Sequence, residues 1–253
     1  MSSLPFIFTF LLLFGFISLP FLPNWVWILL IIYMNIDLRL CSFVDFIMKY
    51  MKIKYHINFP MNVFKINEEK RIIMANHYNG CDYAVIFKTF KPITEKNIYT
   101  VAKATAIGGS EEKNLLNMFL GLFKKFWFYY FNLISHTRGD KDSGIMVKNK
   151  IVETLNNGDT ILIFPEGTTT RDGRPRQFRK GIFELCVTEN IKVIPVTIKY
   201  NRDIGMDFEH PLKFSELYDI KADVYIHEEI YDSDSEIFMQ KVFDKISEPY
   251  VIK

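Results

Sequence analysis

The chain has 253 residues, with 31 Lys and Arg against 29 Asp and Glu, and it is 49% hydrophobic and 16% aromatic. That length suits one domain of ordinary size plus an attachment, and the near-neutral charge leaves no electrostatic footprint for bulk nucleic-acid binding. Three widely spaced cysteines, Cys41, Cys81 and Cys186, include no C-x-x-C pair, which argues against a disulfide framework or a zinc site and fits a reducing compartment.

From Met1 to Ile36 no side chain is charged, and Asp37 is the first that is. The run exceeds the roughly 20 apolar residues that cross a bilayer once. Pro20 and Pro23 interrupt it, each removing a backbone donor and crowding the preceding turn. Two arrangements fit: one tilted or kinked span, or two helices over 4–19 and 25–34 folded as a hairpin in one leaflet. The prolines favour the hairpin, and Trp25, Trp27 and Tyr33 are amphipathic aromatics suited to headgroup depth. A cleaved signal peptide fits poorly, because there is no basic leader and the apolar stretch outruns any cleavage site. Arg39, Lys49, Lys52 and Lys54 follow, and this positive bias puts the rest of the chain on the cytoplasmic side. The expected division is a hydrophobic helical membrane anchor over 1–37 and a folded body over 38–253.

In the body, strands are predicted over 52–59, 71–75, 98–102, 160–164, 192–200 and 222–230. Helices are predicted over 38–51, 82–90, 114–129, 142–156, 178–189 and 235–250, with Asn157-Gly158 stopping the fourth. The alternation predicts an α/β fold, a mixed and largely parallel sheet flanked by helices. Functional groups on such a sheet gather at the carboxyl ends of the strands. The segment 115–134 is rich in Leu, Phe, Trp and Tyr with only Lys124 and Lys125 charged. It reads either as a buried core helix or as a membrane-facing helix or acyl-chain wall.

Two motifs follow predicted strands. Asn76-His77-Tyr78-Asn79-Gly80-Cys81-Asp82 sets a His and an Asp five positions apart across a strand-to-helix turn, with Gly80 easing the turn. A neutral imidazole takes a proton from an attacking hydroxyl, and a carboxylate on its other nitrogen fixes the tautomer. Asp82 alternatively only favours the helix's first turn. Phe164-Pro165-Glu166-Gly167-Thr168 is the second motif; Arg171, Asp172, Gly173 and Phe178-Arg179-Lys180-Gly181 follow it. Ile134-Ser135-His136-Thr137-Arg138-Gly139-Asp140 and Val193-Ile194-Pro195-Val196 complete an ordered set of four.

This His-x4-Asp set, in this order, resembles the glycerolipid acyltransferases, the lysophosphatidic acid acyltransferase family. The resemblance covers about 72–196 and implies acyl transfer from acyl-CoA or an acyl carrier protein to a lysophospholipid hydroxyl. It implies His77 as general base and Asp82 as its orienter. It also implies that Lys103, Arg138, Glu166, Gly167, Thr168 and Arg171 fall at or beside the acceptor, Glu166 in a binding or structural role, and Arg138 suits bidentate phosphate recognition. No metal and no cofactor beyond the acyl-CoA co-substrate is implied, and no G-x-S-x-G elbow is present. Backbone amides near Asn79 and Gly80 are candidate oxyanion donors. Cys81 carries no mark of an activated nucleophile. One departure bears on the acceptor: the family usually has Arg after Glu-Gly-Thr, where this chain has Thr169. Relatives acting on lysophosphatidylcholine or lysophosphatidylethanolamine tolerate that change, so those acceptors stand beside 1-acyl-sn-glycerol-3-phosphate. A silent lipid-binding relative and an acyl-CoA hydrolase are the other readings, and the intact His77 and Asp82 speak against silence. The implied setting is a membrane of the endoplasmic reticulum or bacterial inner-membrane type.

Overall fold

The computed structural model describes residues 48–49, 52–58, 70–79, 81–92, 94, 96–103, 132–137, 139, 141–204 and 218–251. The chain divides into two compact units, Met1–Lys52 and Ile53–Lys253. In the first, Met48 and Lys49 are helical, and the Lys52 amide donates to the Lys49 carbonyl at 3.2 Å. The anchor expected over 1–37 and the helix expected over 114–129 lie outside the described residues. Among the described residues no helix is long and apolar enough to cross a membrane.

The described elements of the second unit are, in order, β1 Lys54–Asn58, β2 Arg71–Ala75, α1 Cys81–Phe90, β3 Ile98–Lys103, β4 Leu133–His136, α2 Lys141–Asn156, β5 Thr160–Ile163, α3 Lys180–Thr188, β6 Lys192–Tyr200, β7 Lys221–Ile226 and α4 Ser235–Val251. The strands form one sheet in the order β1-β7-β6-β2-β5-β3-β4. Strands β6, β2, β5, β3 and β4 are mutually parallel. Strand β7 runs antiparallel to β6 and parallel to β1. The sheet is therefore mixed and largely parallel.

Burial explains the composition of each strand. β2 and β5 sit in the middle, and Ile72–Ala75 and all of Thr160–Ile163 are buried. Central parallel strands are covered on both faces, so they read as continuous apolar runs. β7 lies near an edge and alternates instead, with Ala222, Val224 and Ile226 buried and Lys221 and Asp223 exposed. One face of the sheet, through Ile72, Met74, Ile161, Ile163 and Val193, shares a core with Val147, Ile151 and Leu155 of α2, Phe183 and Cys186 of α3, and Phe238, Val242 and Ile246 of α4. The intervening Ile73, Leu162 and Ile194 are fully buried and alternate to the opposite face.

Among the departures from expectation, three have a clear local reason. Helix α3 begins at Lys180, not 178, because the Arg179 amide donates to the Pro165 carbonyl at 3.0 Å and Arg179 is extended (φ −89°, ψ 121°). β7 ends at Ile226; the chain leaves the ladder, and Ile230 rejoins as an isolated antiparallel bridge to Val193. β4, absent from the predicted strands, holds the sheet's edge in parallel register with β3, Lys103 opposite His136.

Phe183 is the hinge of the α3–α4 packing. It is fully buried, stacks on Phe178 at 6.2 Å and meets Phe238 edge-on at 5.7 Å. Phe183→Ala is expected to cost about 3–5 kcal/mol of stability, read as a lowered urea midpoint at unchanged slope.

Candidate active site

β2 ends at Ala75, and the next four residues turn the chain into α1. Asp82 organises that turn. Its side chain is wholly buried, and its Oδ2 accepts from the Tyr78 amide at 2.6 Å and the Asn79 amide at 2.8 Å. Asn79 reciprocates: its Oδ1 accepts from the Cys81 amide at 2.7 Å. The pair forms a capping box, each side chain satisfying a backbone donor that the helix leaves open.

The same Oδ2 lies 2.8 Å from His77 Nδ1. An oxygen that already accepts from two amides cannot carry a proton, so Nδ1 must be the donor. This assigns the Nδ1–H tautomer and leaves the lone pair on Nε2, the arrangement a general base needs. Nε2 makes no hydrogen bond to the described residues. The imidazole lies flat on Phe164, centroids 4.1 Å apart and planes at 16°, and remains 22% exposed. Asp82 Oδ1 accepts from the Tyr200 hydroxyl at 2.9 Å. Asp82 thus both starts a helix and orients an imidazole, the two roles that the sequence posed as alternatives.

Asn76 extends β2 by other means. Its Oδ1 accepts from the Ile198 amide and its Nδ2 donates to the Ile198 carbonyl, both at 2.8 Å, so the side-chain amide continues the ladder to β6 after the backbone has turned away. Nδ2 also donates to the Gly173 carbonyl at 2.8 Å and meets the Tyr250 hydroxyl at 3.0 Å. Tyr250, on α4, donates to the Ile198 carbonyl at 2.8 Å and so accepts from the Tyr78 hydroxyl at 2.8 Å. Gly173 has φ +64°, and a Cβ there would fall inside the Tyr78 ring. Only glycine meets both conditions.

The loop after β5 closes over the turn. The Thr170 amide donates to the His77 carbonyl at 2.9 Å. Glu166 is nearly fully buried; its two carboxylate oxygens accept from the amides of His77 at 3.3 Å and Arg176 at 3.1 Å. Glu166 is therefore a strut between the two loops. Burial pushes its carboxyl up to about 7, against the two backbone bonds that favour the charge. Gly167 has φ +64°, and the Arg179 side chain crosses it.

The other expected residues are placed as follows. Thr168 is exposed at the loop tip and Arg171 is half-buried. Lys103 ends β3; that strand lies two positions from β2 in the sheet, a backbone separation of about 10 Å. Arg138 and Gly80 lie outside the described residues. The Asn79 amide is not a free oxyanion donor, because Asp82 takes it; the amides of His77, Tyr78 and Cys81 are likewise bonded within the site. Burial and then the Asp82 charge push the Cys81 thiol up to about 12, the opposite of an activated nucleophile. Among the described residues no cluster of His, Cys, Asp or Glu is disposed to hold a metal. Sequence reasoning assigned no role to Asn76, Tyr78, Phe164, Tyr200 or Tyr250. The first three stood inside or beside the quoted motifs; nothing local marks the last two.

A buried carboxylate thus holds a partly exposed histidine at a strand-to-helix turn, an arrangement suited to general-base chemistry. The Acyltransferase family model matches residues 52–199, more than half of the chain, and the chain belongs to that family. It is 29% identical over 112 residues to a chloroplastic 1-acyl-sn-glycerol-3-phosphate acyltransferase of Brassica napus, covering 44% of this chain and 31% of that protein. It is 36% identical over 74 residues to a lyso-ornithine lipid O-acyltransferase of Pseudomonas aeruginosa, covering 29% of this chain and 28% of that protein. The matched segments thus span less than a third of these relatives' length. The crystal structure of the 1-acyl-sn-glycerophosphate acyltransferase PlsC from Thermotoga maritima superposes with a TM-score of 0.61 at 17% identity, covering 97% of this chain and 92% of that one, and shares its fold.

The Glu166 strut has a pH signature. Between its ordinary value of 4.5 and about 7, the folded state holds a proton there that the unfolded chain releases. Stability from this group therefore falls as pH rises through that window and is flat below and above it. Relative to Glu166→Gln, the wild-type protein is expected to lose about 2–3 kcal/mol between roughly pH 5 and pH 8, measured by chemical denaturation at both pH values. A pH-independent difference between the two would contradict the assignment.

Proposed function

We propose that the protein transfers a fatty acyl group from acyl-CoA, or an acyl carrier protein, to the free hydroxyl of a lysophospholipid, foremost 1-acyl-sn-glycerol-3-phosphate, giving phosphatidic acid. The observation that carries this reading is the His77–Asp82 pair, with Nδ1 held by a buried carboxylate and Nε2 left available at the carboxyl edge of the sheet. His77 Nε2 removes the acceptor's hydroxyl proton as the oxygen attacks the thioester carbonyl. Asp82 stabilises the imidazolium that forms. The tetrahedral intermediate collapses, the C–S bond breaks, and the leaving thiolate takes the proton from Nε2. The acceptor is the nucleophile, so no acyl-enzyme forms. Lys103, at the end of β3, and Arg138 bind the acceptor phosphate. The N-terminal segment holds the protein on a membrane, with the site facing the cytoplasm. The activities for which the Brassica and Pseudomonas relatives are named support the reaction type.

Thr169 favours a second acceptor class. Thr169 directly precedes Thr170, whose amide is tied to the His77 carbonyl, and an uncharged side chain where the family usually has Arg weakens the case for a strict phosphate monoester. Lysophosphatidylcholine, lysophosphatidylethanolamine and lyso-ornithine lipid, the last named for the Pseudomonas relative, are the competing acceptors.

Labelled acyl-CoA offered to the solubilised protein with each of these acceptors is expected to yield one preferred diacyl product. His77→Ala is expected to lower kcat by roughly 10²–10⁴-fold, and Asp82→Asn by about 10³–10⁴-fold through the wrong tautomer. Equal product from wild type and His77→Ala, or none with any acceptor or donor, would overturn the reading.

A further inference from the structure

We propose that Tyr200 is a positioning residue for this reaction, its hydroxyl holding the second oxygen of Asp82 and thereby setting how strongly His77 holds a proton. The inference rests on the reading of His77 as general base.

The two oxygens of Asp82 are used differently. Oδ2 serves the turn and the imidazole, with three donors on it. Oδ1 has one partner among the described residues, the Tyr200 hydroxyl at 2.9 Å. A carboxylate's charge is shared between both oxygens, so a donor on one reduces the pull of the other on an imidazolium.

The sheet delivers Tyr200 to this place. β2 stops at Ala75 opposite Val196, while β6 runs on to Tyr200 and is held there by β7, with Tyr200 opposite Ala222. The extension carries Tyr200 past the end of β2 and over the turn, 118 residues away in sequence from Asp82. The ring is almost wholly buried and meets Tyr78 edge-on at 4.8 Å, so its position is fixed by packing as well as by the ladder. Burial, and then the charge of Asp82, raise its ionisation well above the ordinary tyrosine value, so the phenol remains a donor at any working pH. The other titratable groups facing the pair are Tyr78 on the turn, Cys81 on α1, Glu166 on the loop after β5, and Tyr250 on α4, with Asp172 on that loop acting on Tyr78 and Tyr250. Tyr78 and Cys81 stay neutral near pH 7. Glu166 titrates there in wild type and variants alike, so the informative quantity is the difference between them.

The test follows the His77 imidazole by NMR titration in detergent-solubilised protein, alongside the acid limb of kcat/KM for acyl transfer. Tyr200→Phe leaves Asp82 a stronger partner for the imidazolium, and the His77 midpoint is expected to rise by about 0.5–1 pH unit. Site-specific 3-fluorotyrosine at position 200 keeps the ring and strengthens the donor; the midpoint is then expected to fall. Tyr250→Phe breaks the bonds to Asn76, Tyr78 and the Ile198 carbonyl but removes no hydrogen bond from Asp82, and is expected to leave the midpoint in place. The acid limb should move with the midpoint in each case. An unchanged midpoint in both Tyr200 variants, shifts of the same sign in both, or an equal shift in Tyr250→Phe would make Tyr200 a packing residue and overturn the proposal. If Tyr200→Phe fails to fold, the fluorotyrosine protein alone decides by the sign of its shift. Midpoints that move as expected in a protein with no acyl transfer would overturn the proposed reaction and leave the Tyr200–Asp82–His77 coupling standing.

Discussion

Burying a carboxylate is costly unless its oxygens find donors, and Asp82 is completely buried. The turn after β2 is arranged to meet that requirement. Two amides, an imidazole and a phenol converge on the two oxygens. Each of those bonds also does something for the donor: the Asn79 amide is capped, the chain is bent at Tyr78, and the ring of His77 is aimed. Remove the carboxylate and the helix start, the turn and the tautomer lose their common anchor together. Truncating one partner of a buried charge costs far more than the bond's net value, because the other groups are left unpaired.

The rest of the unit is legible as support for that anchor. β6 outruns β2 and reaches over the turn. Asn76 bridges the gap with its side-chain amide, so the ladder continues although the backbone has left. α4 brings Tyr250 to the same junction. From the other side, the loop after β5 supplies Phe164 as the floor under the imidazole, and Glu166 ties that loop to the His77 amide. The two motifs, 89 residues apart, are thus joined by direct bonds. That is why a single site needs both.

The sequence made some of this readable and hid the rest for physical reasons. β2 and β6 came out at their observed limits, because continuous apolar runs on central strands have sharp ends. The His-x4-Asp spacing was readable because its partners are five residues apart and meet through a local turn. Helix α3 was misplaced by two residues, since its start is set by the Pro165 carbonyl, a partner outside the helix. Tyr200 and Tyr250 were invisible: the partners that tie them to the site lie 118 residues away for Tyr200 and 52 to 174 residues away for Tyr250, and neither stands out from its surroundings in composition. Glu166 was marked as important but its orientation was not, because a buried carboxylate that braces a loop and one that faces a ligand look alike in one dimension.

Asp82 holds His77 as the Nδ1–H tautomer, with the lone pair on Nε2. Long-range proton–nitrogen correlation spectra of histidine-labelled protein test it directly, with His77→Gln to assign its ring among the five histidines. At a pH where the ring is neutral, His77 is expected to show a protonated Nδ1 and an unprotonated Nε2. In Asp82→Asn that preference should be lost. A wild-type ring protonated at Nε2 would contradict the account, because the nitrogen needed as base would already carry its proton.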